Sequence, residues 1–139
     1  NFRAAPSAGA LYPIEIYLVS KDGLFHYLPE GHKLEILGSE DLRKALCDSA
    51  LGQEPITQAP VNIVICAVYS RVSAKYGQRG IRYTHIEAGH VAQNIHLEAA
   101  ALDLGSVPIG AFNDEGVQKI LSLPKGHEPL YIIAVGYPD

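Results

Sequence analysis

The 139-residue sequence has no methionine, only two cysteines, and no apolar run that approaches the roughly 20 residues a membrane-spanning helix needs. It also has no cluster of basic residues. Its 11 Lys and Arg residues and 15 Asp and Glu residues give a net charge of −4. These absences exclude a helical membrane protein and a nucleic-acid-binding surface. Because it has no methionine, the sequence does not include its initiator residue. We therefore expect the full fold to extend beyond this sequence at the N-terminus, with a C-terminal extension as a second expectation.

The two cysteines, Cys47 and Cys66, lie in apolar stretches without the spacing of metal ligands. The prediction is therefore that both are buried, reduced thiols in a cytoplasmic protein. A chain of this length that is 47% hydrophobic can build a core without disulfide or metal support. With no linker or internal repeat, residues 1–139 are predicted to form a single domain.

β-Branched and aromatic stretches, together with turn residues, outline the predicted elements. The segment 61–69 is apolar almost throughout, which is typical of a strand buried on both faces. The segment 82–104 lacks proline and is rich in alanine, which predicts the main helix, with Gly105 closing it. We predict strands at 14–20, 24–28, 33–37, 61–69 and 131–135, and helices at about 40–51, 82–104 and 114–121.

The main helix has two apolar faces separated by narrow polar seams. Ala88, Ala92 and Ile95 belong to one face, whereas Ile86 and Leu97 belong to the other. A helix of this kind is covered on both sides, and two arrangements satisfy that requirement. It is either the central core helix of a monomer or a helix held between two subunits.

Six histidines raise the question of a metal site, above all His85-x-Glu87-x-x-His90 on the main helix. Paired helical ligands are three or four residues apart, whereas His85 and His90 are five apart, so we predict no metal site. Glu87 and His90 are instead predicted to form a hydrogen-bonded pair. The G-x-S-x-G serine motif, the P-loop and the Rossmann glycine fingerprint are all missing from the sequence.

Three short segments could form a ligand site, although each also has an ordinary structural explanation. The segment 3–13 is a stiff loop of small residues and prolines before a strand, which a flat ligand could approach closely. The segment 75–83 holds two acid–base side chains, Lys75 and Tyr76. The ordinary explanation of this segment is a solvated basic loop. The segment 107–114 is a strand–turn–helix junction that could present backbone N–H groups.

Taken in order, these segments match a known pattern. The sequence reads R-x-x-P-S-A-G-A-L-Y-P from Arg3, K-Y-G-x-R-x-x-R-Y from Lys75, I-E-A-G-H-x-x-Q-N from Ile86, P-I-G-A-F-x-D from Pro108, and V-G-Y-P near its end. It resembles the SagB-type dehydrogenases of the nitroreductase superfamily over essentially its whole length. The resemblance implies an α+β fold with a central, mostly antiparallel sheet flanked by helices, and a long central helix at the interface of a homodimer.

The resemblance further implies an FMN-dependent oxidoreductase with its flavin between the subunits. Hydride would pass through flavin N5 between NAD(P)H, or a reduced substrate, and an acceptor such as a nitroaromatic, a quinone or a peptide-derived azoline. Lys75 and Tyr76 match the proton-transfer pair of the azoline-oxidising members. The implied cofactor contacts are Arg3, Pro6, Ser7, Ala8, Gly9, Ile109, Gly110 and Ala111.

The sequence departs from the family pattern at the cofactor phosphate. The R-R-S-x-R segment that grips this group in family members is not within these residues. Arg3, Arg79 and Arg82 are the remaining candidates for neutralising a phosphate that carries about −1.5 to −2 charges. If no arginine serves, the chain is instead a degenerate nitroreductase-like module without flavin, which acts as a binding or scaffolding partner.

Overall fold

The computed structural model describes residues 2–139, which form six strands and five α-helices. The strands are β1 (Ile14–Ser20), β2 (Gly23–Leu28), β3 (Lys33–Gly38), β4 (Val61–Ala67), β5 (Gly105–Ile109) and β6 (Glu128–Gly136). The helices are α1 (Arg43–Ser49), α2 (Pro55–Gln58), α3 (Ser70–Tyr76), α4 (Arg79–Ala101) and α5 (Asp114–Ile120). A short 3₁₀ turn, Ala8–Ala10, precedes β1.

One sheet lies at the centre of the molecule, with the strands in the order β3-β2-β1-β4-β6-β5. Every neighbouring pair is antiparallel. β1 and β4 pair along their whole length, from Ile14 opposite Ala67 to Ser20 opposite Val61. The central place of β4 explains its apolar sequence, since both of its faces are covered. The predicted α+β fold with a mostly antiparallel sheet flanked by helices is confirmed.

Helices cover both faces of the sheet and create two separate cores. On one face α1, α2 and α5 pack against a cluster that includes Tyr17 and Val64. On the other face α4 packs against a cluster that includes Ile14 and Ile65. Neighbouring residues of one strand, such as Val64 and Ile65, thus serve different cores, because successive side chains point to opposite faces.

The helix α4 is apolar on two sides, but the chain covers only one of them. Ala88 and Ala92 are 5% and 3% exposed where they pack on the sheet. Ile86 and Leu97, on the second face, are 51% and 59% exposed. Residues 2–139 thus leave α4 covered on one side only. Both predicted arrangements, the core helix of a monomer and the helix between subunits, stay predictions.

The boundaries of α3 and α4 differ from the predicted ones. The strand predicted at 61–69 ends at Ala67, and the segment 70–76, which includes part of the predicted basic loop, is helical. The main helix begins at Arg79 and ends at Ala101, three residues earlier at each end than predicted. Asp103 ends it with a φ of 58°, a left-handed conformation that aspartate tolerates. Gly105 consequently starts β5 and does not close the helix.

The remaining elements lie close to their predicted positions. The helix predicted at 114–121 is confirmed, and the Asn113 side chain caps it by accepting the Gly116 N–H at 2.7 Å. The helix predicted at 40–51 is shorter, and the strand predicted at 131–135 is longer. Cys47 and Cys66 are buried free thiols, as predicted. Within residues 2–139, no helix is long and apolar enough to cross a membrane.

Candidate functional site

The loop before β1 is held in a defined shape by hydrogen bonds from its own side chains. The Ser7 hydroxyl accepts the Tyr12 N–H at 3.0 Å, and the Tyr12 hydroxyl accepts the Arg3 N–H at 3.0 Å. Gly9, Ala10 and Tyr12 have φ values of 60°, 53° and 47°. Because this region is unfavourable for residues other than glycine, the two side-chain bonds stabilise a strained backbone.

This loop packs on the first half of α4 through a buried carboxyl group. Glu87 is 4% exposed and accepts a hydrogen bond from Ser7, while His90 Nδ1 donates to the Pro6 carbonyl oxygen at 3.1 Å. Burial raises the pKa of Glu87, although the bond from Ser7 and the charge of Arg3 limit the rise. Within residues 2–139, Glu87 and His90 thus bond to the loop and not to each other. The predicted pair is wrong because the loop offers each side chain a partner.

Lys75 and Tyr76 lie at the end of α3 and face the same loop. A Cβ atom placed on Gly9 would be 2.8 Å from the Tyr76 hydroxyl and 3.3 Å from the Lys75 nitrogen. Glycine suits this position because its φ of 60° is unfavourable for other residues, and an added Cβ would also displace the ends of the Tyr76 and Lys75 side chains. The Lys75 nitrogen is 5.3 Å from the centre of the Tyr76 ring, which packs edge-on against Tyr83 at 5.2 Å. The structure thus brings the predicted acid–base pair and the loop residues 6–9 together.

The predicted turn connects the edge strand β5 to α5. Ile109 anchors it in the core with 3% exposure, whereas Gly110 and Ala111 are exposed. On the far side of the turn, the Asn113 N–H donates to the Ser49 carbonyl oxygen at 2.8 Å. The turn therefore presents the backbone of Gly110 and Ala111 from a base that is fixed at both ends.

The loop and the turn open onto two cavities along α4. A cavity of about 280 Å³ lies between the loop and the helix. A second cavity, of about 340 Å³, falls in the size range of small-molecule sites. Its lining is His85, Ala88, Gly89, Gly110, Leu130 and Tyr131. The loop and the turn of a single chain thus share α4 as a common wall but do not line one cavity.

His85 connects the 340 Å³ cavity to a larger opening on the outer side of α4. It also lines a cavity of about 760 Å³, together with Arg79 and Arg82. His85 Nε2 and the Tyr69 hydroxyl are 2.7 Å apart, and burial raises the pKa of Tyr69. Sequence reasoning considered His85 only as a metal ligand. Its position between two cavities makes it a candidate ligand contact.

The three candidate arginines for a phosphate do not converge. The Arg3 guanidinium stacks on the Tyr12 ring at 4.4 Å and lines a separate cleft of about 490 Å³. Arg79 and Arg82 lie instead at the start of α4, where Arg79 donates to the Tyr83 hydroxyl at 3.1 Å. An anion could therefore contact Arg79 and Arg82 from one cavity but not all three arginines.

Sequence reasoning misses a charged group that fixes α3 to the sheet. Arg71 donates to the Glu15 carboxylate at 2.6 Å and to the Tyr12 carbonyl oxygen at 3.0 Å, while His26 Nε2 donates to the other Glu15 oxygen at 2.8 Å. Burial alone would raise the pKa of Glu15, but the bonds from Arg71 and His26 outweigh it and hold the pKa below its usual value. The feature of the sequence that could have indicated this group is the single carboxylate, Glu15, near the start of an otherwise apolar strand.

Comparison with known proteins identifies the family. A nitroreductase family model matches residues 1–137. The chain is 42% identical over 142 residues to Putative nitroreductase MJ1384 of Methanocaldococcus jannaschii, a match that covers 98% of this chain and 71% of that protein. It is also 29% identical to the microcin B17-processing protein McbC of Escherichia coli. That match covers 87% of this chain and 48% of McbC.

Solved structures share the fold. A putative nitroreductase from Anabaena variabilis has a TM-score of 0.92 at 30% identity, covering 96% of this chain and 29% of that chain. A chain of the E. coli microcin synthetase McbBCD complex has a TM-score of 0.89 at 28% identity, covering 99% of this chain and 56% of the other. The chain thus spans about half or less of McbC and of the A. variabilis protein. It belongs to the nitroreductase family of oxidoreductases.

Proposed function

We propose that the chain forms the catalytic core of an FMN-dependent oxidoreductase of the SagB type that acts as a homodimer. The observation that carries the proposal is the close approach of Gly9 to Lys75 and Tyr76 beside the first half of α4. A relative from Bacillus subtilis, 28% identical over 124 residues, is an FMN reductase that uses NAD(P)H. That protein supports both the cofactor and the electron donor proposed here.

The residues at the 340 Å³ cavity fit the planar ring of a flavin. Nothing lies within 4 Å of the point where a side chain on Gly89 would begin, and a Cβ on Gly110 would make only an ordinary 3.8 Å contact with Tyr131. A flat ring can therefore approach the backbone at both positions. We assign the ring contacts to the loop and turn residues Pro6, Ser7, Ala8, Gly9, Ile109, Gly110 and Ala111.

For the phosphate of the cofactor we assign Arg79 and Arg82, which line one cavity with His85. A guanidinium group suits this role because it binds phosphate oxygens through two parallel hydrogen bonds. Arg3 stays the second candidate, since it already braces the loop against Tyr12. Its proposed contribution is the charge that it adds to the loop side of the cofactor.

When bound, FMN takes up a hydride at N5 and delivers the electrons to an acceptor, here a nitroaromatic, a quinone or an azoline-derived compound. The chain supplies the surroundings of that reaction. The N–H groups of Gly110 and Ala111, presented by a fixed turn, would serve as hydrogen-bond donors to the ring. For a substrate oxidised at a C–H bond, the Lys75 amine accepts the proton, and the Tyr76 hydroxyl donates or orients.

A homodimer is proposed because α4 presents an apolar face that the chain does not cover. Leu97 is 59% exposed, and Ile86 is 51% exposed. The same face continues through Ala100 and Ala101, which are also exposed. A second copy packed on this face would bury these side chains and bring the turn of one chain toward the loop of its partner.

A second candidate function is a flavin-free module that binds or scaffolds a partner. The separation of Arg3 from Arg79 and Arg82 favours it, because a phosphate gripped from one side only is held less firmly. The two candidates differ in a direct observable. A protein of the first kind is yellow or becomes so with FMN, and one of the second kind stays colourless.

Titration of the purified protein with FMN, followed by the visible spectrum of the bound flavin, tests the proposal. Saturable binding is expected for the wild type. Gly89→Leu fills the open wall of the cavity and favours the helix, so it is expected to fold and to lose FMN binding. Lys119→Leu, exposed on α5 at the opposite face of the sheet, is the control and is expected to bind as the wild type does. A wild type that stays colourless overturns the proposal.

A further inference from the structure

Gln53, in the connection between α1 and α2, makes a direct contact with the turn that follows β5. Its side-chain Nε2 donates to the Ala111 carbonyl oxygen at 2.8 Å and to the Ala50 carbonyl oxygen at 2.8 Å. Both amide hydrogens are therefore used. The contact joins residues 58 positions apart in the sequence, and it reaches the exposed part of the turn, not its buried base.

The backbone that carries Gln53 is itself immobilised. Its N–H donates to the Ala50 carbonyl oxygen at 3.2 Å, and its carbonyl oxygen accepts the Ile56 N–H at 3.2 Å. The buried Cys47 thiol also donates to this carbonyl oxygen at 3.3 Å. A side chain that starts from such a fixed backbone holds its amide at a fixed point, so the Ala111 carbonyl is held there too.

We propose that Gln53 is a positioning residue for the flavin, because it holds the Ala111 carbonyl oxygen and so restrains the Ala111–Phe112 peptide, which directly follows the Gly110 and Ala111 N–H groups in the turn. The inference rests on the proposed function. Ser49 holds the other end of the turn through the Asn113 N–H, so Gln53 is the contact that fixes the exposed part. Without it, the Ala111 carbonyl oxygen loses its side-chain donor. A hydrogen bond to a reacting ring is effective only when its donor is held within about 0.5 Å of the productive position.

Gln53→Met tests the inference, because methionine keeps the length of the side chain but donates nothing. The dissociation constant of FMN is expected to rise about two- to tenfold, the size of one ordinary hydrogen bond. The midpoint potential of bound FMN is expected to become more positive, since oxidised N5 accepts hydrogen bonds that reduced N5 does not. A change in potential separates positioning from a general loss of stability, which would leave the potential unchanged.

Two controls accompany this variant. Gln58→Met changes an exposed glutamine whose amide is 3.4 Å from Glu54 Oε2, and Ile56→Val shortens a buried side chain of the same core while the Gln53 amide stays in place. Both are expected to keep the wild-type potential. If Gln53→Met does not fold, Gln53→Asn serves in its place, since it keeps the amide but is one methylene too short.

The outcomes separate the two proposals. If the wild type binds FMN and the Gln53 variant keeps both the wild-type affinity and the wild-type potential, the positioning role is overturned and the proposed function stands. A shift in potential shared by Ile56→Val also overturns it, because the cause is then lost stability. If the wild type binds no FMN, the proposed function fails, and the positioning role fails with it.

Discussion

Lys75 and Tyr76 are the residues on which the proposed proton transfer depends. They occupy the last two positions of α3, and a Cβ on Gly9 in the loop would lie 2.8 Å from the Tyr76 hydroxyl and 3.3 Å from the Lys75 nitrogen. Arg71, one helical turn before Lys75, bonds to Tyr12 at the end of that loop. The acid–base pair and the loop are thus connected through one short helix.

Lys75→Ala and Tyr76→Phe are each expected to lower the oxidation of a thiazoline peptide by 10²- to 10⁴-fold, the range that general acid–base catalysis supplies. FMN binding is expected to persist, because neither side chain is assigned to the ring. Lys33→Ala and Tyr137→Phe, at exposed positions away from α3, are the matched controls. Steady-state turnover measures the effect, and turnover within about twofold of wild type in both variants would refute the assignment.

Glu15 makes the stability of the fold depend on acid pH. Its pKa in the folded chain lies below the usual 4.5, so its contribution is complete above that value and is lost as the pH falls through the lowered pKa. Glu15→Gln removes the ionisation, and the fall in the free energy of unfolding below about pH 4.5 is expected to flatten. Urea denaturation over a pH series measures it. Glu30→Gln, exposed in the β2–β3 turn, should retain the wild-type fall, and an unchanged fall in Glu15→Gln would contradict the account.

Single residues were predictable from the sequence where their partners are local. Asn113 caps α5 through Gly116, three residues away, and the apolar neighbours of Cys66 correctly predict its burial. The partners of Glu87 and His90 could not be predicted, because Ser7 and Pro6 lie some 80 residues earlier in the chain. The site is assembled from such distant contacts.

At the scale of elements, hydrophobic patterning predicted β1 to β4 and β6, placed β5 only within the strand–turn–helix junction at 107–114, and missed α3. The hairpins of β1, β2 and β3 follow from turn residues between β-rich stretches. The segment 70–76 is polar and basic, and its helix is stabilised by contacts that no periodicity reveals, such as those of Arg71. The structure therefore changes the predicted loop around Lys75 into a helix with a defined direction.

Gly80 allows α3 and α4 to cross closely, and this contact yields a prediction. A Cβ at Gly80 would lie 3.1 Å from the Val72 carbonyl carbon and 3.2 Å from the Ser73 nitrogen. Alanine normally favours a helix over glycine by about 0.5–1 kcal/mol. Here the backbone of α3 cannot yield easily, so Gly80→Ala is expected to lower the free energy of unfolding by about 1–3 kcal/mol.

The control for this variant is Gly38→Ala, where no atom lies within 4 Å of the added Cβ and the backbone has an ordinary φ. It is expected to change stability by less than about 0.5 kcal/mol. Urea denaturation of both variants decides the matter. A stabilised Gly80→Ala protein would show that α3 moves away without cost, and the close crossing would then not hold Lys75 and Tyr76 against the loop.

For the whole molecule, the surface that matters for the proposed assembly is the second apolar face of α4. The sequence predicted this face from its two-sided pattern, and the structure leaves it exposed at Ile86 and Leu97. Within residues 2–139, no element packs over these two side chains. The proposed homodimer supplies a cover for them and also explains why the loop and the turn line separate cavities within one chain.

Leu97→Glu tests the homodimer directly. The side chain is 59% exposed, so the substitution is expected to leave the fold of one chain intact. A carboxylate buried without a partner in the interface is expected to weaken dimerisation by about 30-fold or more. Multi-angle light scattering over a concentration series measures it. Leu37→Glu, at a 45% exposed position on β3, should dimerise like the wild type, and a monomeric wild type would rule out the proposed interface.

The central claim is that this chain transfers electrons through bound FMN, and anaerobic reduction tests it most directly. The FMN-loaded protein is mixed with NADPH or NADH without oxygen, the visible flavin absorbance is followed, and a quinone is then added. The account predicts that the absorbance is lost with the nicotinamide and returns with the quinone. A flavin that stays bound and oxidised through both additions, or a protein that holds no flavin, would contradict it.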